Sequence, residues 1–507
     1  MAVRASLGAS RGRLFAQLLT ESVVLAGAGG LLGLLLAFFL MDAIVALIPP
    51  DTLPSEADLK LSIPVLLFTT GVSLLSGLVF GSAPAWQIKR INLNDVLKET
   101  GRSTIGGRAW MRRVFVVTEF ALALTLLAGA GLAISSLVKL ANVDLGFKTE
   151  RLLTMGLPVP DKRLKGPEQI EMFYRQLLEQ VRALPGVSSV SVSTGFPVRG
   201  VNFGMPFTIV GRPVSDPGQR PGAGFNMVTA DYFKTFGIPI QRGRAFTEQD
   251  RAGTPRVAIV NDAFVRQYLT GLDPLKTRIL VEQLLPGETR LGEAVEWEII
   301  GVYKAVRNRG PRGDFPEIDV PFAQSPWPGA AIGLRTTSSD PESVRNAIAA
   351  IVQKLDPDLP IADVRTMEQL VYERLAFDRF QAVLFGSFAG VALVLAALGI
   401  YGVMSFTVVQ RTHEIGLRMA LGAGRQQVLQ QILREGLATA LVGIAIGTVG
   451  AYLVGRGMRG MLFGVDAIDP LAFSIVAGLL LGASILACFI PAMRAASVDP
   501  MTALRDG

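Results

Sequence analysis

Few residues in this 507-residue chain could do bond-making chemistry. His413 is the only histidine and Cys488 the only cysteine, and Cys488 lies inside an apolar run. One thiol cannot form an intrachain disulfide, and one His with one Cys falls short of a zinc site. Neither residue occurs between 141 and 379, so no Ser/His/Asp or Cys/His arrangement can be built there. The carboxylates of that stretch, such as Asp231, Glu248, Asp250 and Asp262, are scattered and read as solvated surface, which disfavours a hydrolase. The sequence also has no G-x-x-x-x-G-K-[ST] phosphate loop and no G-x-G-x-x-G placed between a strand and a helix, so the chain has no visible means of hydrolysing ATP. No catalytic, cofactor-binding or metal-ligating residue is predicted.

The charges that remain sit where charge is costly. Glu119 falls inside an apolar run, six residues beyond Arg113, or roughly 9 Å along a helix. A carboxylate at that depth marks a functional site or an interhelical contact, and the Arg112-Arg113 pair lies within reach. The structural contact is favoured over proton coupling. Glu21 and Glu435 stand near the ends of two other apolar runs. Between Arg411 and Arg425, Ile415, Leu417, Met419 and Leu421 alternate with Arg, His and Glu before Gly422 and Gly424, a pattern for a short amphipathic helix on a membrane face. Glu414 and Arg418 are four apart and can pair for a few tenths of a kcal/mol. His413 reads as a solvated interface residue.

The elements that must hold these charges are spans. Half of the residues are apolar and only 18% are charged, against about 25% in a soluble domain. Six apolar stretches reach the roughly 20 residues that a bilayer requires: Val23 to Ile48, Ile63 to Trp86, Val114 to Leu140, Phe380 to Val409, Gly436 to Gly455 and Leu471 to Ala492. Sixteen Lys or Arg lie in the loops and ends on one side and three in the two short loops on the other. By the positive-inside rule both termini are cytoplasmic and residues from about 141 to 379 are external. Topology thus accounts for the net charge of +7, and nothing clusters as a nucleic-acid surface needs.

The external segment reads as α/β. Leu152 to Val159, Val187 to Ser193, Ala331 to Arg335 and Leu359 to Val364 are strand-like, with helices from Pro167 to Leu184 and from Pro341 to Leu355. A Gly/Pro-rich, strand-rich insertion from about 200 to 325 forms a second lobe. Helical pattern from Met367 to Gln410 predicts a continuous stalk into the fourth span.

The chain also repeats itself. At an offset of 414, Val3 to Arg11 aligns with Leu417 to Arg425, and Gln17 to Glu21 with Gln431 to Glu435. Pro84-Ala85 through Glu99 mirrors Pro491-Ala492 through Asp506. Two matched blocks in one order mean a duplicated membrane unit. The second unit has all four spans and an external domain, whereas Met1 falls opposite Ile415; the expectation is that an upstream span, external domain and span are missing.

Two strings, Arg411 to Ala423 (RTHEIGLRMALGA) and Pro491 to Arg505 (PAMRAASVDPMTALR), resemble the FtsX-like permease domain of MacB-type ABC transporters. The likeness extends over nearly the whole chain and is greatest to the duplicated orphan permeases abundant in Acidobacteria. It implies a multi-span α-helical membrane protein of six transmembrane helices with a periplasmic MacB-like α/β domain, in the bacterial inner membrane. The division expected is 1–100 for the end of the first permease unit, 101–140 for a cytoplasmic linker and span, 141–375 for the periplasmic domain, and 376–507 for the second permease unit. The two units would pair in a dimer-like arrangement.

The resemblance further implies a separate ABC ATPase in the cytoplasm, whose motion the permease transmits to the periplasm to export or extract a substrate. The coupling helix that docks into the ATPase would contain His413, Glu414, Ile415, Gly416, Arg418, Leu421 and Gly422, with Arg4, Leu7 and Gly8 as repeat equivalents. Partners expected are the lipid bilayer, that ATPase, and a periplasmic adaptor or outer-membrane channel. The alternative is a non-transporting scaffold that regulates periplasmic partners such as cell-wall hydrolases.

Overall fold

The computed structural model describes residues 11–48, 62–88, 105–161, 163–164, 166–200, 203–212, 216–288, 290–307, 314–466 and 469–497. Among the described residues three long helices come first: α1 (Arg11–Leu47), α2 (Ile63–Ile88) and α3 (Ile105–Ala141). Their Leu, Ala and Gly content satisfies every backbone group within the helix, which lipid demands. Hydroxyls are satisfied the same way: Thr20 donates to the Ala16 carbonyl at 2.7 Å and Ser76 to that of Val72 at 2.8 Å.

The chain then builds a compact unit over Leu137–Ala376. Its strands are β1 (Leu152–Leu157), β2 (Val187–Ser193), β3 (Phe203–Ile209), β4 (Gly222–Val228), β5 (Ile240–Gly243), β6 (Val257–Asn261), β7 (Arg278–Glu282), β8 (Ala294–Tyr303), β9 (Glu317–Pro321), β10 (Ala330–Thr336) and β11 (Ala362–Thr366). Its helices are α4 (Pro167–Arg182), α5 (Tyr232–Phe236), α6 (Asp262–Tyr268), α7 (Arg345–Leu355) and α8 (Met367–Arg374).

The first lobe is the antiparallel run β11-β1-β10-β2, with α4 packed on β2. The inserted lobe is a closed ring: β4-β3-β7-β8-β6-β9, with β9 returning parallel to β4. Closure leaves this ring without a free edge. The two lobes are one sheet, joined where Ser193 of β2 pairs with Val228 of β4. They also share a core, in which Phe207, Phe225, Ile318 and Val320 from the ring belong to the same cluster as Leu153, Tyr174, Val190 and Ile332. A second core of Phe196, Tyr232, Phe233, Phe236, Ile259 and Tyr303 lies outside the ring, beneath α5.

Several expectations are corrected here. The last strand begins at Ala362 rather than Leu359, and the stretch from Pro341 starts as a 3-10 turn before α7. The stalk is interrupted, because α8 ends at Arg374 and the next helix starts at Ala376, with Leu375 at φ −88° and ψ 1°. Of the acids read as solvated surface, Glu248 is exposed as expected and the other three are held. Asp250 is buried and bound bidentately by Arg244 at 2.7 and 2.8 Å, Asp231 pairs with Arg182 at 2.8 Å, and Asp262 with Arg266 at 2.7 Å. The Arg244 guanidinium beside Asp250 holds that carboxyl below the usual range.

Arg335 on β10 fixes the segment that follows α3. Its guanidinium donates to the carbonyls of Thr235 at 2.9 Å, Glu150 at 2.6 Å and Lys148 at 3.0 Å. A planar fork can bind three carbonyls at once, and an ammonium cannot reproduce that geometry. Arg335→Met is expected to cost about 2 kcal/mol of domain stability, seen as a lowered melting temperature, with Arg335→Lys recovering only part. Equal melting temperatures would contradict this role.

Four helices follow among the described residues: α9 (Ala376–Gln410), α10 (Thr412–Ala420), α11 (Arg425–Gly457) and α12 (Pro470–Ala496). Asp469 starts α12 by accepting from the amides of Leu471 at 3.0 Å and Ala472 at 3.3 Å, with Pro470 in the first turn. Helices α3, α9, α11 and α12 pack around Phe120, Leu124, Ile400, Met404, Ala440 and Leu480. Close approach comes from glycines on α11: a Cβ at Gly443 would lie 2.5 Å from Cβ of Phe120, and one at Gly447 2.8 Å from Cβ of Leu124. Among the described residues, α1, α3, α9, α11 and α12 are long and apolar enough to cross a membrane, while the apolar part of α2, Ile63–Val79, is shorter.

Candidate coupling site

Helix α10 sits in an elbow between α9 and α11, and local chemistry fixes both of its ends. Thr412 Oγ1 donates to the Val408 and Val409 carbonyls at 3.0 Å, which turns the chain out of α9. At the far end the Ala423 amide reaches the Arg418 carbonyl at 3.0 Å and the Gly422 amide that of Met419 at 3.1 Å. This pair of bonds is a Schellman closure, and Gly422 supplies the left-handed φ of +98° that it requires.

The helix has two faces. Ile415 and Met419 pack inward on Val408, Val428 and Ala495, and Gly416 is buried. Leu417 and Leu421 point outward, 46% and 81% exposed. A polar chain ties α10 to its neighbours. Glu414 accepts from Arg418 at 2.6 Å, Arg418 also donates to Gln431 at 3.2 Å, and Arg411 donates to Glu435 at 3.1 Å. Gln431 was not singled out in the sequence, although Gln17 at the equivalent repeat position could have drawn attention to it. The arrangement can receive an apolar groove from outside while keeping the elbow stiff.

The other predicted charges are placed differently. The Glu119 carboxylate lies against Gly399 of α9, where any side chain would collide with it. Arg112 does not turn toward it; its guanidinium stacks on the Phe406 ring at 3.7 Å. Glu21 is exposed on α1. Arg4, Leu7 and Gly8 lie outside the described residues, as does the side chain of His413.

The model of the FtsX-like permease C-terminal domain matches residues 1–93 and again 386–500, and that of the MacB-like periplasmic core domain matches 121–363. The chain belongs to the FtsX-like permeases of MacB type. It is a multi-span α-helical membrane protein with a MacB-like periplasmic domain.

Among the permease's relatives is the pyoverdine export ATP-binding/permease protein PvdT of Pseudomonas syringae pv. tomato, 29% identical over 78% of this chain and 58% of that protein. The uncharacterized ABC transporter permease YknZ of Bacillus subtilis is 27% identical over 68% of this chain and 86% of its own length. The macrolide export ATP-binding/permease protein MacB of Azoarcus is 25% identical over 76% and 57%. The chain thus spans little more than half of the ATP-binding/permease relatives. The crystal structure of the periplasmic region of MacB from Actinobacillus actinomycetemcomitans covers 46% of this chain and 95% of its own, at 11% identity and a TM-score of 0.31.

The periplasmic domain of this permease holds a site that sequence reasoning missed. Glu317 and Asp319 on β9 are 2% and 1% exposed. Tyr303 donates to Glu317 Oε2 at 2.9 Å and Asn226 to Asp319 Oδ1 at 3.1 Å, while Asp319 Oδ2 has no hydrogen-bond partner among the described residues. Burial pushes the Asp319 carboxyl up to about 7, against the hydrogen bond from Asn226. Strand alternation, Glu-Ile-Asp-Val, would normally put both acids in water. Here Tyr232 and Phe233, from an α5 that packs on β2 and β10, share a buried cluster with Tyr303 and Ile259 on the outer face of the ring.

Proposed function

We propose that this permease is the membrane subunit of an ABC-type machine, in which a separate ABC ATPase grips α10 and its motion reaches the periplasmic domain. The carrying observation is the two-faced α10, with Leu417 and Leu421 outward and Ile415 and Met419 anchored inward. An exposed leucine pair on a rigidly tied helix is what helix-in-groove docking needs. In this reading both termini and α10 are cytoplasmic, residues from about 141 to 379 are periplasmic, and 1–100 and 376–507 belong to two permease units paired like a dimer around the 101–140 segment. The work done is export or extraction of a substrate on the outer side by mechanotransmission, with a periplasmic adaptor or outer-membrane channel as further partners. The chain's own role is transmission, since the sequence carries no nucleotide-binding motif.

The test is affinity purification in mild detergent with and without Leu421→Asp. At 81% exposure this change leaves the fold intact and places a charge in the docking face. An ATPase at near-equal amount with the wild type, reduced about tenfold or more in the variant, is the expected result. Recovery of periplasmic partners without any ATPase would favour the scaffold reading instead.

A further inference from the structure

We propose that the turn over 196–200 and the bulge at Asp363 form a strained latch on α8, the last element of the periplasmic domain before α9, and that α8 has a second, released position. Among the described residues three that are not glycine hold a left-handed φ: Arg151 at +56°, Val198 at +72° and Asp363 at +55°. Two of them are tied together, since Arg199, next to Val198, pairs with Asp363 at 2.5 Å.

Both of these positions call for another residue. The Arg199 amide donates to the Phe196 carbonyl at 3.2 Å and closes a turn with Pro197 and Val198 at its corners. Proline suits the first corner, and a left-handed second corner is the place of glycine in a type II turn. Valine, branched at Cβ, is a genuine outlier there. Its side chain is nevertheless 5% exposed, in one buried cluster with Phe196, Phe236 and Met367 of α8. On β11, Arg365 pairs with Thr154 and Ala362 with Gly156, so Asp363 and Val364 bulge opposite Met155. The left-handed residue of such a bulge is ordinarily glycine.

A line of alternating charge keeps both residues in place. The Asp363 carboxylate takes Arg199 through Oδ2 and Arg365 through Oδ1, the latter at 2.8 Å, and Arg365 pairs onward with Glu373 in α8. Helix α8 is thus held at its start by Met367, in the core shared with Val198, and near its end by Glu373. Leu375 alone separates that end from α9. Strain of this kind persists only while its surroundings enforce it. Turn and bulge therefore work against the ion pairs, which brings the latched and released forms close in free energy. The latch lies wholly within the periplasmic domain and does not rest on ATPase docking at α10, so either reading can fail alone.

The test is amide hydrogen exchange, read by mass spectrometry on the purified full chain in detergent. Asp363→Asn keeps a residue that tolerates the left-handed φ and removes the charge that ties Arg199 and Arg365. Exchange in α8 should rise about tenfold, while β10 stays protected and shows that the domain is folded. Raising salt to molar concentration should speed α8 in the wild type and leave Asp363→Asn unaffected. Should Asp363→Asn loosen β10 as well, the salt response of the wild type decides. Val198→Ala and Val198→Gly separate strain from packing, because both remove the valine methyls and only glycine relieves the turn. Helix α8 should exchange about threefold slower with glycine than with alanine. Exchange in α8 that ignores salt in the wild type, that ignores Asp363→Asn, or that is as fast with glycine as with alanine overturns the proposal.

Discussion

Gly447→Leu is expected to break the packing of α3 on α11, while Gly33→Leu at the repeat-equivalent position leaves the purified chain as stable as before. A Cβ at 447 would stand 2.8 Å from the Ala121 carbonyl oxygen and 2.8 Å from Leu124 Cβ. Backbone on α3 cannot give way there without moving the helix. Overpacking costs 1–3 kcal/mol for a methylene or two, so a whole isobutyl group forced between two backbones should cost at least about 3 kcal/mol. Thermal unfolding in detergent reads the difference. A Cβ on Gly33 has nothing within 4 Å, so the same leucine there starts in open space. Equal melting temperatures for the two variants would mean that α3 does not rest on Gly447.

The second large effect is on pH. Asp319 is fully buried, and its carboxyl is raised from 3.8 to about 7 in the folded domain. The folded state therefore binds a proton that the unfolded chain has already released at neutral pH. Stability from this group is complete below about pH 4 and is lost as pH rises through about 7. Asp319→Asn keeps an oxygen for Asn226 and removes the ionisation. It should raise the melting temperature most at pH 8, less at pH 5 and little at pH 4, flattening the slope between. A wild-type protein whose stability is level or increasing from pH 6 to 8 would contradict the assignment.

Local rules were sufficient where the local signal carries the physics. Long apolar runs with their flanking charges gave the membrane helices, because a bilayer leaves a chain few ways to satisfy its backbone. The strand Val187–Ser193 was legible from alternation, and the short helix α10 from its mixed faces and Gly422. Helix ends were less legible. The helix that contains the predicted span from Gly436 begins at Arg425, since polar residues such as Gln427 and Gln431 continue a helix beyond the lipid.

What the sequence determined by itself was the class of molecule, its duplicated permease pattern and the α/β character of its external part, all properties written in periodicity, charge bias and repeated strings. Tertiary structure alone decided which side chains meet. It closed β4-β3-β7-β8-β6-β9 into a ring, set Tyr232 and Phe233 against its outer face and buried Glu317 and Asp319, whose alternation pointed to water. It turned Arg112 onto Phe406 and set Glu119 beside Gly399. Alternation tells which residues share a face; what covers that face depends on elements far along the chain, and no local pattern encodes it.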